Sequence, residues 1–174
     1  MLKPKELSFY NPTRGDLNFD ETIEEIFNYM SKDSKEGYEV VVGCDSPSDK
    51  KPDFPIAIVV LKKGRGGRFF LTKLRYKSFN KKKERIFSFQ ERILEEVYSS
   101  CKTALTLRDA LEDKEIESDK LVDYEFEYIH ADVGQNGRTK DMIKEVVGLI
   151  KSNGFQPKIK PESFAASVVA DRFT

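Results

Sequence analysis

Glu39-Val-Val-Val-Gly-Cys-Asp45-Ser46 is an almost continuously apolar run that stops at a carboxylate and a small residue. It has no helical period, so Tyr38 to Cys44 reads as a strand buried on both faces. A second run, Tyr124-Glu-Phe-Glu-Tyr-Ile-His-Ala-Asp132-Val-Gly134, ends in the same way. A carboxylate at the C-terminal end of a strand is solvated enough to stay charged and rigid enough to hold a cation. Two of them on separate strands can converge on one metal ion, which makes a metal-dependent site the first functional expectation.

The elements around these runs set the fold class. Before the first run, Ile23, Ile26, Phe27 and Met30 recur at helical spacing and predict a helix over 20–34, capped by Asn18 or Asp20. After it, Pro55–Leu61 and Arg68–Tyr76 read as two further strands. Gly64, Gly66 and Gly67 form the hairpin between them, completing an antiparallel meander. A long helix is expected over 81–107, with a stripe of Ile86, Phe89, Ile93 and Val97 widened by Leu94 and Tyr98. Residues 109–119 read as a charged surface connection. The fourth strand, Tyr124–Ala131, is followed by a turn at Gly134–Arg138 and a helix over 140–151 capped by Thr139. Asn153-Gly154 stops that helix, Phe155–Lys160 is a short fifth strand, and Pro161 opens a last helix to Phe173. Strand–helix–strand units after a meander predict an α/β fold: a mixed five-stranded sheet, antiparallel meander plus parallel strands, flanked by helices. The whole of 1–174 is expected to be one domain, with 1–36 as an N-terminal extension and helix.

Composition narrows the function classes only partly. Lys plus Arg and Asp plus Glu both number 30, so net charge names no partner. The charge is polarised along the chain, however. Lys62–Arg85 holds eleven basic residues and one acid, whereas Asp109–Glu127 holds nine acids and two lysines. Such polarity can build one basic face. Two cysteines, Cys44 and Cys101, are too few for a disulfide framework and lack metal-ligand spacing; a reduced, cytoplasmic setting and no zinc are expected. No apolar run reaches membrane-spanning length, so no membrane partner is expected. Oligomeric state is not legible in the sequence.

Four local motifs are more specific than this outline: Gly43-Cys-Asp-Ser46, His130-Ala-Asp-Val-Gly-Gln-Asn-Gly-Arg-Thr139, Glu145-Val-Val-Gly148 and Ile159-Lys-Pro-Glu-Ser-Phe-Ala-Ala-Ser-Val-Val-Ala-Asp-Arg172. Together they resemble the bacterial family known as DUF458, or YkuK-like, over Asp16 to Thr174. The resemblance implies a ribonuclease H-like domain. It also implies a site in which acids on the first strand, the helix after the meander, the fourth strand and a late helix bind two divalent cations and cut or transfer phosphodiesters.

Mapped onto this chain, Asp45 is the first-strand ligand and Asp132 the fourth-strand ligand. Asp171 lies three residues from Val168 and seven from Phe164, so it borders the apolar stripe of the last helix and needs a partner or a metal there. The long-helix acid is ambiguous. Glu91 and Glu96 flank the stripe on opposite edges, while Glu84 and Glu95 point outward; the motif favours Glu96 and distance from the helix start favours Glu91. Mg²⁺ or Mn²⁺ suits such oxygen ligands, and two ions roughly 4 Å apart activate water and stabilise the leaving oxygen. His130, the only histidine, faces the same side as Asp132. It reads first as a packed strand histidine, with an outer-shell orienter or a proton carrier as the functional alternatives.

RNA or DNA is the expected partner. Its phosphates would meet Lys62, Lys63, Arg65, Arg68, Arg75, Lys81, Lys82, Arg138 and Lys160, with Phe69, Phe70, Tyr76 and Phe79 interleaved among the cations. The leading function is a metal-dependent nuclease or phosphodiesterase. A non-catalytic nucleic-acid-binding module is the alternative, and a nucleotide-phosphate hydrolase stands last, because one domain is too small for a two-lobed site.

Overall fold

The computed structural model describes residues 4–32, 37–48, 53–75 and 86–170. Its centre is one mixed sheet. Strands β1 (Phe9–Asn11) and β2 (Gly15–Leu17) precede helix α1 (Phe19–Ser31). Strands β3 (Tyr38–Cys44), β4 (Phe54–Lys62) and β5 (Gly67–Leu74) follow, then helix α2 (Phe89–Ser118) and β6 (Tyr124–Ala131). A short 3₁₀ turn, Lys140–Met142, leads into α3 (Ile143–Ser152), β7 (Gln156–Lys158) and a π-helical segment, Ala165–Ala170. The strand order is β2-β1-β5-β4-β3-β6-β7. The meander β3–β4–β5 is antiparallel, and β6 and β7 run parallel to β3.

The sheet therefore has seven strands rather than five. The two additional strands are three-residue pieces within the expected N-terminal extension, and a three-residue strand carries too little alternation to stand out. What anchors them is polar. Buried Asn11 accepts from the amides of Thr13 and Arg14 and donates Nδ2 to the Phe69 carbonyl on β5 at 2.9 Å.

The continuous apolar character of β3 and β4 follows from their central position. Val40, Val42, Cys44, Ile56, Ile58 and Val60 pack into the larger core with α1, α2 and α3, while Val41, Ala57 and Val59 pack on the other face with Ala165 and Ala170. Each of these valines and isoleucines contributes about 1.5–3 kcal/mol by leaving water. At Gly43 a Cβ would sit 2.6 Å from the Ala166 nitrogen, so only glycine lets the C-terminal segment lie this close to β3.

Helix ends differ from the expected ones for local reasons. Of the two candidate caps of α1, Asn18 is the one used: its Oδ1 accepts from Glu21 N, and Glu21 returns a bond to the Asn18 amide. Helix α2 starts at the equivalent Ser88–Glu91 box, and residues 81–85 lie outside the described residues. It then continues through the stretch expected to be a connection. Buried Leu107 and Leu111 extend its inner face, Lys114 pairs with Glu24 of α1 at 2.5 Å, and the left-handed Asp119 ends it. Ile86 and Tyr98, expected in the apolar stripe, are exposed; the buried face runs instead through Ile93, Val97, Ala104 and Leu107, with Glu96 within it. Thr139 makes no side-chain cap; its hydroxyl accepts from the Gly134 amide at 3.2 Å.

A candidate active-site cleft at the ends of β3 and β6

The register of β3 on β6 pairs Cys44 with Ala131. Asp45 and Asp132 are the next residue of each strand, so they stand level on neighbouring parallel strands, whose axes lie about 4.8 Å apart. Alternation assigns them a common face as well. Cys44 and Ala131 belong to the core under α2, so the residues after them belong to the face covered by the C-terminal segment. Both aspartates line one cleft of about 420 Å³, together with Ser46, Phe89, Arg92, Arg138, Thr139 and Lys160.

Each carboxylate has a distinct environment. Asp45 continues the ladder, donating its amide to the Pro55 carbonyl at 3.3 Å. Asp132 Oδ2 accepts from Lys160 Nζ at 2.8 Å, and its Oδ1 is buried with no hydrogen-bond partner among the described residues. The Gly134 amide, two residues on, donates to the Thr139 hydroxyl and not to Asp132. Lys160 is held in place by its backbone: its amide donates to the Val133 carbonyl at 2.9 Å. At Gly134 a Cβ would meet Lys160 Cβ at 3.0 Å, so a larger residue would crowd the lysine.

Glu96 lies behind the cleft wall, 2 % exposed. Its Oε1 accepts the Ser46 amide at 3.1 Å, the Ser46 hydroxyl at 2.6 Å and Arg92 Nη1 at 2.9 Å. Arg92 Nη1 also donates to the Ser46 carbonyl at 2.6 Å. The residue after Asp45 is thus gripped at its amide, its hydroxyl and its carbonyl. Burial pushes the Glu96 carboxyl up to about 8, against the pull of the Ser46 hydroxyl; nearby Asp45 raises it further and Arg92 lowers it. Glu91 has another role: its Oε2 accepts the Ser88 amide at 2.9 Å in the α2 cap, and its side chain is exposed. Neither Arg92 nor Ser46 is apparent as a site residue from composition. The usable signal is the Arg92–Glu96 spacing, which pairs opposite charges one helical turn apart.

His130 is a packed strand histidine. It is 1 % exposed, its Nδ1 accepts the Ala165 amide at 3.1 Å, and Phe164 meets it edge-on. Burial, followed by the charge of Lys158, lowers its pKa to about 4, so it is neutral near pH 7. Burial likewise pushes the Cys44 thiol well above its usual value, which removes it as a nucleophile.

The expected basic surface divides into two sets. Arg138 and Lys160 line the cleft, and Arg138 stacks over Phe89 at 4.5 Å. Arg75 is at the same end of the sheet, paired with Asp53 at 3.1 Å. Lys62, Lys63, Arg65 and Arg68 surround the β4–β5 turn. Tyr38 pairs with Lys62, so this turn lies at the start of β3, about 23 Å from Asp45 across seven strand residues. Lys63 is neutralised there by Glu125 and Arg68 by Glu25. Among the described residues these cations therefore lie at two ends of the sheet, because the hairpin separates charge that is adjacent in sequence. Lys81, Lys82 and Asp171 lie outside the described residues.

The family model for ribonuclease H-like proteins matches residues 21–174. The chain belongs to the ribonuclease H-like family. A relative in Bacillus subtilis (strain 168), titled "Uncharacterized protein YkuK", is 33 % identical over 174 residues, covering 95 % of this chain and 96 % of the relative. No solved structure gives a significant match. This family membership connects the chain with nuclease-like or nucleic-acid-related function, and the fold often employs divalent metals. No helix among the described residues is long and apolar enough to cross a membrane.

Among the described residues no group of three or more His, Cys, Asp or Glu is placed to hold a metal. The chemistry of the pair still suits a hard cation. Mg²⁺ is commonly held by one or two carboxylates, with waters and substrate phosphates completing the shell. The unpartnered Asp132 Oδ1 is an acceptor of the kind such an ion fills.

Proposed function

We propose that this chain is a divalent-metal-dependent nuclease or phosphodiesterase, using Mg²⁺ or Mn²⁺ in a two-metal-ion reaction on RNA or DNA. The observation that carries the reading is the β3–β6 register, which sets Asp45 and Asp132 level in one cleft with cations on its wall. Asp45 would bridge the ions and Asp132 would hold one of them. Asp171 would complete the ligand set from the C-terminal segment, whose preceding residues cover the face shared by both aspartates. Bound ions would activate water and stabilise the leaving oxygen. The protein's own share is to hold ligands and substrate still. Glu96 and Arg92 fix Ser46 and with it the loop of Asp45, while Arg138 and Lys160 neutralise phosphate. In this reading Glu96 supports a ligand instead of serving as one, and Glu91 stays in its cap.

The test is cleavage of single-stranded, duplex, hybrid and junction substrates with Mn²⁺, comparing wild type with Asp45→Asn. Turnover lost in the variant supports the proposal; absence of any Asp45-dependent cleavage across the panel refutes it. One observation favours the non-catalytic reading: Asp132 is engaged by Lys160, as it would be in a site that no longer binds metal. That reading gives salt-dependent binding without turnover, unchanged by Asp45→Asn.

A further inference from the structure

Lys160 occupies an unusual position for a substrate-binding lysine. Its ammonium already sits 2.8 Å from Asp132 Oδ2, while half of its side chain is open to solvent. The other oxygen of the same carboxylate is buried and without a hydrogen-bond partner among the described residues. One cation thus serves one oxygen of a carboxylate whose other oxygen has no hydrogen-bond partner among the described residues. The backbone around this contact is held firmly, through the Lys160 amide on Val133 and the close approach of Gly134, whereas the side chain is long and solvated. The lysine can leave Asp132 without its loop moving.

We propose that Lys160 is a stand-in cation for the cleft: it neutralises Asp132 before a divalent ion binds, yields the carboxylate to that ion, and then contacts the substrate phosphate. This rests on the metal-dependent reading above. A half-exposed ion pair is weak and easily exchanged, and a doubly charged ion at the carboxylate outcompetes a single ammonium. Once displaced, the ammonium stays in the cleft beside Arg138, where, with Asp45 engaged by the ions as proposed above, the substrate phosphate is its remaining anionic partner. Metal and substrate are therefore coupled through one side chain, and the coupling is reciprocal.

The test uses the full chain and two readouts other than turnover. Calorimetric titration with Mn²⁺ compares wild type, Lys160→Met and Asp132→Asn. Anisotropy of a short fluorescein-labelled single-stranded oligonucleotide, with and without saturating Mn²⁺, adds Lys160→Arg. The expected results are Mn²⁺ binding lost in Asp132→Asn and about two- to five-fold tighter in Lys160→Met, where the competing cation is gone. The gain in oligonucleotide affinity on adding Mn²⁺ should shrink about five-fold in Lys160→Met and be kept in Lys160→Arg. Mn²⁺ binding that weakens in Lys160→Met, or an undiminished oligonucleotide gain, overturns the exchange while leaving the metal site standing. Absence of Asp132-dependent Mn²⁺ uptake in the wild type overturns both. Matching melting temperatures for the variants identify a folded comparison.

Discussion

Replacing Glu96 by alanine is the sharpest test of how the cleft is held. Measured at about pH 9, where the Glu96 carboxyl is ionised, the change removes the one acceptor shared by the Ser46 amide, the Ser46 hydroxyl and Arg92, and leaves a guanidinium that is 7 % exposed without its counter-charge. Breaking a buried pair on one side costs about 3–5 kcal/mol. For a chain of this length each kcal/mol is worth about 2–4 °C in Tm, so the melting point should fall by about 6–20 °C. Glu96→Gln keeps an acceptor for Ser46 and should lose less than half as much. The double variant Arg92→Met with Glu96→Met takes away both charges and fills the space, and should cost much less than the two single changes added together. Urea unfolding followed by circular dichroism measures all five variants, the two single methionine changes included. A loss below about 1 kcal/mol in Glu96→Ala, or simple additivity in the double variant, would refute the view of Arg92 and Glu96 as one unit.

Three further outcomes follow from the same geometry. Glu96 is raised to about 8 when folded, so its folded form keeps a proton that the unfolded chain releases near 4.5; its contribution is full below about 4.5 and is lost as pH rises to about 8. His130, lowered to about 4, acts oppositely: its contribution is present above about 6.5 and lost as pH falls toward 4. Between pH 6.5 and 8 only the glutamate limb operates, so Glu96→Gln should flatten stability there, as read by urea midpoints. Gly43→Ala should destabilise by about 1–3 kcal/mol, since the new methyl meets the Ala166 backbone; a thermal melt like that of wild type would contradict the close approach. Arg138→Glu should weaken oligonucleotide binding in a fluorescence titration, whereas Arg65→Glu, at the far turn, should leave it within about two-fold, the latter being an ordinary surface change.

Strands three to six were legible because each carries an apolar run with a clear stop, and Asn18 was legible as one of two candidate caps, while the choice between them rests on the Glu21 partner that the structure shows. The level placement of Asp45 and Asp132 was only half legible. Each strand end could be seen, but the one-residue register that aligns them is a property of pairing between distant segments. The same limitation affected α2. Its second half looks too polar for a helix until Leu107 and Leu111 are seen against the core and Lys114 against Glu24. Glu96 illustrates the electrostatic version: a glutamate on a stripe's edge reads as solvated, and only the α2–β3 contact shows Ser46 and Arg92 closing over it. The basic residues between Lys62 and Arg75 divide for a geometric reason, since the chain runs from the β4–β5 turn along β5 and carries Arg75 to the other end of the sheet.

The parallel pairing of β3 with β6 also bears on how the cleft comes into being. Its two aspartates are joined through a connection that contains β4, β5 and the whole of α2, so closing that loop carries a large entropic cost before any contact is gained. Local pieces, the hairpin and the capped helices, can form first; the carboxylate pair cannot exist until the long-range strand contact does. On the proposed metal-dependent reading, a divalent ion would have nothing to bind in the early chain and would act only as a late lock, slowing unfolding without hastening folding.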